Sequence, residues 1–141
     1  MRLISHRGNI EKANSSLENN PKYIEEALEE GFDVEIDVWL VNDRWYLGHD
    51  NPEYIIEQEY FQNDKFWCHA KNITALSKMV ENKIHCFWHQ EDFVTLTSRG
   101  YLWTYPGQEL TSKSICVLPE MFNSKIETCF GICSDEIIKY R

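Results

Sequence analysis

The chain predicts an α/β domain with a largely parallel sheet or barrel. Three observations carry that expectation. Short apolar strand-like runs alternate with helical stretches or short connectors along the whole chain. The 141 residues are the size of one domain, so residues 1–141 form a single unit with no internal repeat, linker or low-complexity segment. The composition is 43% hydrophobic and 13% aromatic, which supports a packed core and argues against disorder.

Each element has a local reason. Leu3-Ile4-Ser5 reads as the first strand, and residues 8–19 are polar and loop-like. Asn20 caps a helix with Pro21 at its first position and Gly31 just past its end; Ile24, Ala27 and Leu28 supply one apolar stripe. Asp33 to Val38 alternates with period two, Asn42-Asp43 marks a turn, and Trp45-Tyr46-Leu47 returns as a second arm. Residues 50–65 match no single element. Phe66 to Ala70 reads as a strand, and Asn72 caps a helix with Ile73, Leu76 and Val80 on one face. His85 to His89 is strand-like, and 91–98 predicts a short helix ending near Gly100. Tyr101–Tyr105, Ile115–Leu118 and Phe130–Cys133 complete the strands.

Charge narrows the partners. With 14 basic and 23 acidic residues the net charge is −9, a field that repels nucleic acid polymers and anionic lipid but leaves room for a small anion held by a local Arg or Lys. Five cysteines, an odd number without zinc spacing, fit buried free thiols in a reducing compartment. The first residues are too short and polar for a signal peptide, and no apolar run is long enough to span a membrane, so a soluble, cytoplasmic protein is expected.

Polar residues recur where strands stop, and sites in barrels and open α/β sheets form at strand carboxyl ends. His6 and Arg7 follow the first strand, Glu35 and Asp37 lie in the second, and His49-Asp50 follow its return arm. His69 and Lys71 end the next, and His89 the one after. Residues two apart share a face of a strand, so Val34, Ile36 and Val38 would face the helices while Asp33, Glu35 and Asp37 face the interior or mouth. Adjacent carboxylates repel, and a divalent cation such as Mg²⁺, Mn²⁺ or Ca²⁺ relieves that repulsion. An edge strand with one solvated face fits the alternation equally well. His6 and His49 are candidates for general base and acid, because imidazole titrates near neutral pH; taken singly, either is an ordinary polar residue at a strand end. Arg7 offers a planar fork to phosphate oxygens and Lys71 a second positive charge, against the plain alternatives of a salt bridge and of solvation.

His6-Arg7-Gly8, Glu18-Asn19, Glu35-Ile36-Asp37-Val38 and His49-Asp50, in this order and spacing, resemble the N-terminal half of the glycerophosphodiester phosphodiesterase family, which belongs with the phosphatidylinositol-phospholipase-C-like barrels. Gly131-Ile132-Cys133-Ser134-Asp135 looks like that family's closing strand. The resemblance implies a TIM-type barrel and metal-dependent hydrolysis of a small or lipid-derived phosphodiester. It makes His6 and His49 the acid–base pair, Arg7 the phosphate holder, Glu35 and Asp37 metal ligands, and Glu18 and Asn19 supports from the first loop. Where the family carries Glu-x-Lys, this chain has His69-Ala70-Lys71. His69 then becomes a third metal ligand, shifting preference from Ca²⁺ toward Mn²⁺, Fe²⁺ or Zn²⁺, or else it contacts phosphate. A full barrel needs ~250 residues, so the expectation is a reduced (β/α) barrel with short or missing helices. Its uncovered outer surface makes homo-oligomerisation a further hypothesis. The competing reading is a catalytically inactive module that binds a phosphate ligand on the same fold.

Overall fold

The computed structural model describes residues 1–122 and 124–141. Its ten strands are β1 (Arg2–His6), β2 (Asp33–Val41), β3 (Arg44–Leu47), β4 (Tyr54–Ile56), β5 (Phe66–Ala70), β6 (Cys86–Phe87), β7 (Val94–Leu96), β8 (Leu102–Thr104), β9 (Ser114–Val117) and β10 (Gly131–Ser134). The two α-helices are α1 (Pro21–Glu29) and α2 (Ile73–Glu81). The strands form one curled, mixed sheet, in the order β4-β3-β2-β1-β10-β9-β8-β7, with β5 on the other side of β2 and β6 beyond it.

This corrects the expected reduced TIM-type barrel. The fold is a half-barrel of mixed sheet, without repeating β/α units. Two crossovers contain a helix, from β1 to β2 and from β5 to β6. Elsewhere the connections are turns and short 3-10 segments, since they lack a nine-residue apolar stripe able to cover a neighbouring strand. The expected helix at 91–98 is instead β7, where the Val94-Thr95-Leu96 run pairs antiparallel with β8. β3 and β4 likewise form antiparallel arms beside β2. The parallel part of the expectation holds for β6-β5-β2-β1-β10-β9-β8.

The helices sit where their caps predict. The Asn20 side chain accepts from Lys22 N, and Asn72 accepts from Ala75 N. α1 buries Ile24 and Ala27 as its stripe implies. α2 turns its face partly differently: Ala75 and Met79 are buried and Leu76 packs against the core as expected, while Ile73 and Val80 are exposed. The small Ala75 lets the helix approach the sheet closely, which the bulkier stripe would prevent.

The two sheet faces divide as the alternation requires. Val34, Ile36 and Val38 pack with Phe66, Cys68 and the two helices on the convex side. Ile4, Trp67, Phe87, Trp103, Ile115 and Cys133 fill the lower part of the concave side. Above that apolar floor, toward the strand carboxyl ends, the same face becomes polar. All five cysteines are buried and unbridged. Among the described residues, no helix is long and apolar enough to cross a membrane.

Candidate active site

β2 places the central pair. Its amino half lies between β1 and β5, and register sets His6 beside Glu35 and Asp37 beside His69. Glu35 and Asp37 point into the concave face and are almost wholly buried. One ligand atom each from Glu35, Asp37 and His69 lies within 4.8 Å of the others. His69 Nδ1 stands 3.6 Å from Glu35 Oε1 and 3.3 Å from Asp37 Oδ1. Its Nε2–H donates to the His89 carbonyl at 2.7 Å, which fixes the ring with Nδ1 toward the carboxylates.

Two carboxylate oxygens of this cluster, Glu35 Oε2 and Asp37 Oδ1, are buried without a hydrogen-bond donor. Unsatisfied buried carboxylate oxygens are costly, and two on neighbouring acids are the donor set a divalent cation would complete. The residues present therefore fit a metal. Arg7 and Lys71 border the same cluster. Arg7 Nε lies 3.1 Å from Asp37 Oδ2 and Lys71 Nζ 3.7 Å from Asp37 Oδ1.

The first loop holds these groups from the other side. Arg7 and Asn19 both adopt left-handed backbone, with φ of 57° and 63°. Asn tolerates that region and Arg does not favour it, so local strain sits at the site. The Arg7 turn is held by its N–H to the Glu35 carbonyl and by Asn19 N–H to its own carbonyl. Asn19 clasps Asp37 twice, donating from Nδ2 to Oδ2 at 2.8 Å and accepting the Asp37 N–H at 2.9 Å. Glu18 accepts from Arg7 Nη1 at 3.2 Å and from Asn9 Nδ2 at 2.9 Å.

His6 stands beside the cluster, with Nε2 3.9 Å from Glu35 Oε2 and Nδ1 2.7 Å from Asp135 Oδ1. Burial opposes its charge, but the Asp135 hydrogen bond and the Glu35 charge outweigh burial and raise its pKa. Burial also opposes charge on His69; the adjacent Asp37 and Glu35 carboxylates prevail and hold it up at about 9. Asp37 moves the other way: burial favours its neutral form, yet His69, Arg7 and Lys71 together hold it below the usual carboxylate range.

No family model, no curated protein and no solved structure matches this chain.

Eight of the nine residues expected at a site thus converge: His6, Arg7, Glu18, Asn19, Glu35, Asp37, His69 and Lys71. His49 does not contact them. Its ring bonds Asp50 at 2.7 Å and its side chain is 42% exposed. It rides on a turn anchored near the site, because Gly48 N–H donates to the Asp37 carbonyl and Trp39 Nε1–H donates to the Gly48 carbonyl. Glycine is required there: a Cβ at Gly48 would fall 2.0 Å from the Asn51 carbonyl oxygen.

Three contributors lacked a role from sequence. Asp135 orients His6; its position just past β10 repeats the polar-at-strand-end pattern and was the available signal. Asn9 donates to both Glu18 and Asp135, tying the two sides together. Glu120 accepts from Asp135 N–H and Ser134 Oγ–H, which fixes the turn that carries Asp135. Nothing in spacing marks Asn9 or Glu120, since both act through tertiary contacts.

Proposed function

We propose that this chain is a metal-dependent phosphodiester hydrolase acting on a small or lipid-derived phosphodiester, related in its site to the glycerophosphodiester phosphodiesterases. The observation that carries the reading is the Glu35–Asp37–His69 cluster with two buried carboxylate oxygens lacking donors, flanked by Arg7 and Lys71. Those three residues would hold Mg²⁺, Mn²⁺, Ca²⁺ or Zn²⁺, and such an ion supplies Lewis-acid neutralisation of phosphoryl oxygens. Arg7 and Lys71 bind and orient the phosphate, which suits a compact anion better than a nucleic acid polymer on a chain of net charge −9. His6 is turned by Asp135 so that Nε2 faces the cluster and handles the proton there. His49, which lies outside the cluster, would be its acid–base partner. The buried unbridged thiols support a cytoplasmic setting.

One observation favours a second reading, a phosphate-binding module without turnover. The His49 ring is engaged by Asp50 and lies outside the cluster, leaving His6 as the one histidine there that is not a candidate metal ligand.

The test is hydrolysis of glycerophosphodiesters and of a soluble aryl phosphodiester, with and without Mg²⁺, Mn²⁺, Ca²⁺ or Zn²⁺. Metal-dependent turnover is expected to fall about 10²–10⁴-fold in His6→Ala. Turnover that needs no metal, or that survives both His6→Ala and His49→Ala, overturns the mechanism. Phosphate-ester binding without turnover selects the module.

A further inference from the structure

A histidine whose ring the proposed function does not use lies against the cluster. His89 follows β6, and its ring stands 6.2 Å from the His69 ring and 5.5 Å from the Tyr105 ring. His69 pairs in register with Phe87. Phe87 lines the concave side, and His89, two residues on, keeps that face by alternation. Its side chain is 12% exposed, the value His6 shows, against 42% for His49.

His89 repeats the arrangement of His6. Its Nδ1–H donates to Asp92 Oδ1 at 2.8 Å, as the His6 Nδ1–H donates to Asp135 Oδ1 at 2.7 Å. Gln90 N–H donates to the other Asp92 oxygen at 3.0 Å, which fixes the carboxylate. A carboxylate on Nδ1 settles the tautomer and leaves Nε2 as the working nitrogen. Neither ring's Nε2 has a hydrogen bond among the described residues. The two rings also approach from opposite sides. β1 carries His6 along one edge of β2, while β5 lies along the other edge with β6, which leads to His89, beyond it. The Glu35–Asp37–His69 cluster lies between them. Displacement at phosphorus is in line, with the entering and leaving oxygens on opposite sides, so it calls for one proton carrier on each side.

We propose that His89, held by Asp92, carries the second proton of the reaction, delivering it to the leaving alcohol while His6 receives one from the attacking oxygen. The inference rests on the phosphodiesterase reading and changes only which histidine partners His6. As the P–O bond to the leaving group breaks, its electron pair stays on oxygen and the Nε2 proton of the His89 imidazolium joins it. Neutral imidazole and free alcohol result. The attacking hydroxyl or water forms the new P–O bond and gives its proton to His6 Nε2. Exposure decides which ring faces the leaving group. Asp92 is 42% exposed and Asp135 21%, so His89 stands on the side open to water, where an alcohol departs and the proton is replaced. His49 lacks this setting: its partner Asp50 is 84% exposed and its ring does not contact the cluster.

The test compares hydrolysis of a glycerophosphodiester, whose alkyl alcohol leaves poorly, with that of bis(p-nitrophenyl) phosphate, whose leaving group needs no proton. His89→Gln is expected to lower kcat about a hundredfold or more on the first and less than about tenfold on the second. Asp92→Asn should show a smaller difference in the same direction. Affinity for Mn²⁺, read by titration calorimetry, should stay within about twofold in His89→Gln, because the carbonyl that holds His69 belongs to the backbone. Equal losses on the two substrates, or a Mn²⁺ affinity that falls together with kcat, would give His89 a structural role and overturn the proposal. So would a glycerophosphodiester kcat that survives His89→Gln, or a greater leaving-group-dependent loss in His49→Gln. Absence of turnover of either substrate by the parent chain removes the phosphodiesterase reading and the proposal with it. Turnover that is indifferent to His89 removes the proposal alone, so the two failures are distinct.

Discussion

Replacing Asp37 by Asn separates a structural charge from a ligand charge. Asp37 is fully buried, with Arg7 Nε at 3.1 Å and Lys71 Nζ at 3.7 Å. At an effective dielectric constant of about 20, the contacts are worth about 5.4 and about 4.5 kcal/mol of gross Coulomb attraction. Desolvation offsets much of that, and the net loss on breaking a buried pair from one side is about 3–5 kcal/mol. The Asn19 bridge softens the effect little, because an amide at position 37 still accepts its Nδ2–H while the two cations lose their counter-charge. Glu35→Gln is the contrast. Glu35 has no Arg or Lys partner, its nearest nitrogens belong to His6 and His69 beyond 3.5 Å, and its Oε2 lacks a donor. That substitution is expected to cost less than Asp37→Asn, since Glu35 faces two imidazoles at longer range and no Arg or Lys. Urea unfolding with a chelator present measures both, with m held constant as the check that only stability has changed. Equal losses in the two variants, or a loss below about 1 kcal/mol in Asp37→Asn, would refute the assigned charge arrangement.

Two further outcomes follow from the same geometry. Mn²⁺ or Zn²⁺ at a hundred times its dissociation constant should stabilise the chain by about 2.7 kcal/mol, or about 6–10 °C in calorimetry, and Glu35→Gln should abolish the shift; an unchanged shift in that variant places the ion elsewhere. His85 is buried beside Trp67 and Thr97, and burial, aided by the Arg99 charge, lowers its pKa from 6.5 to about 4. The unfolded chain therefore takes up the proton first, so this contribution is complete above pH 6.5 and is lost as pH falls toward 4, by up to about 3 kcal/mol. His85→Gln should flatten that part of the stability profile, and an unaltered acid limb would show that His85 does not drive it.

Much of the local structure was legible in the sequence. Asn20-Pro21 and Asn72 mark both helix starts because capping is satisfied within a few residues. Asp33–Val38 reveals its two faces because the strand period is two and one side must bury apolar groups. The recurrence of His and carboxylates at strand ends foretold the cluster, since parallel register then brings neighbouring ends together. Less legible were elements whose state depends on a distant partner. Val94–Leu96 is too short to declare itself and becomes a strand by pairing with β8. The inward face of α2 was only partly legible: Leu76 packs inward as expected, but the packing space beneath the helix selects Ala75 and Met79 over Ile73 and Val80.

Sequence by itself therefore determined the strands other than β4 and β7, the helix caps and which residue types line the concave face, because those follow from short-range sterics and period. Tertiary structure decided how many crossovers became helical, that the sheet is a mixed half-barrel, and that Asp135 rather than His49 meets His6. The physical reason is separation along the chain. His6 and Asp135 are 129 residues apart, and only the pairing of β1 with β10 brings the imidazole and the carboxylate to 2.7 Å.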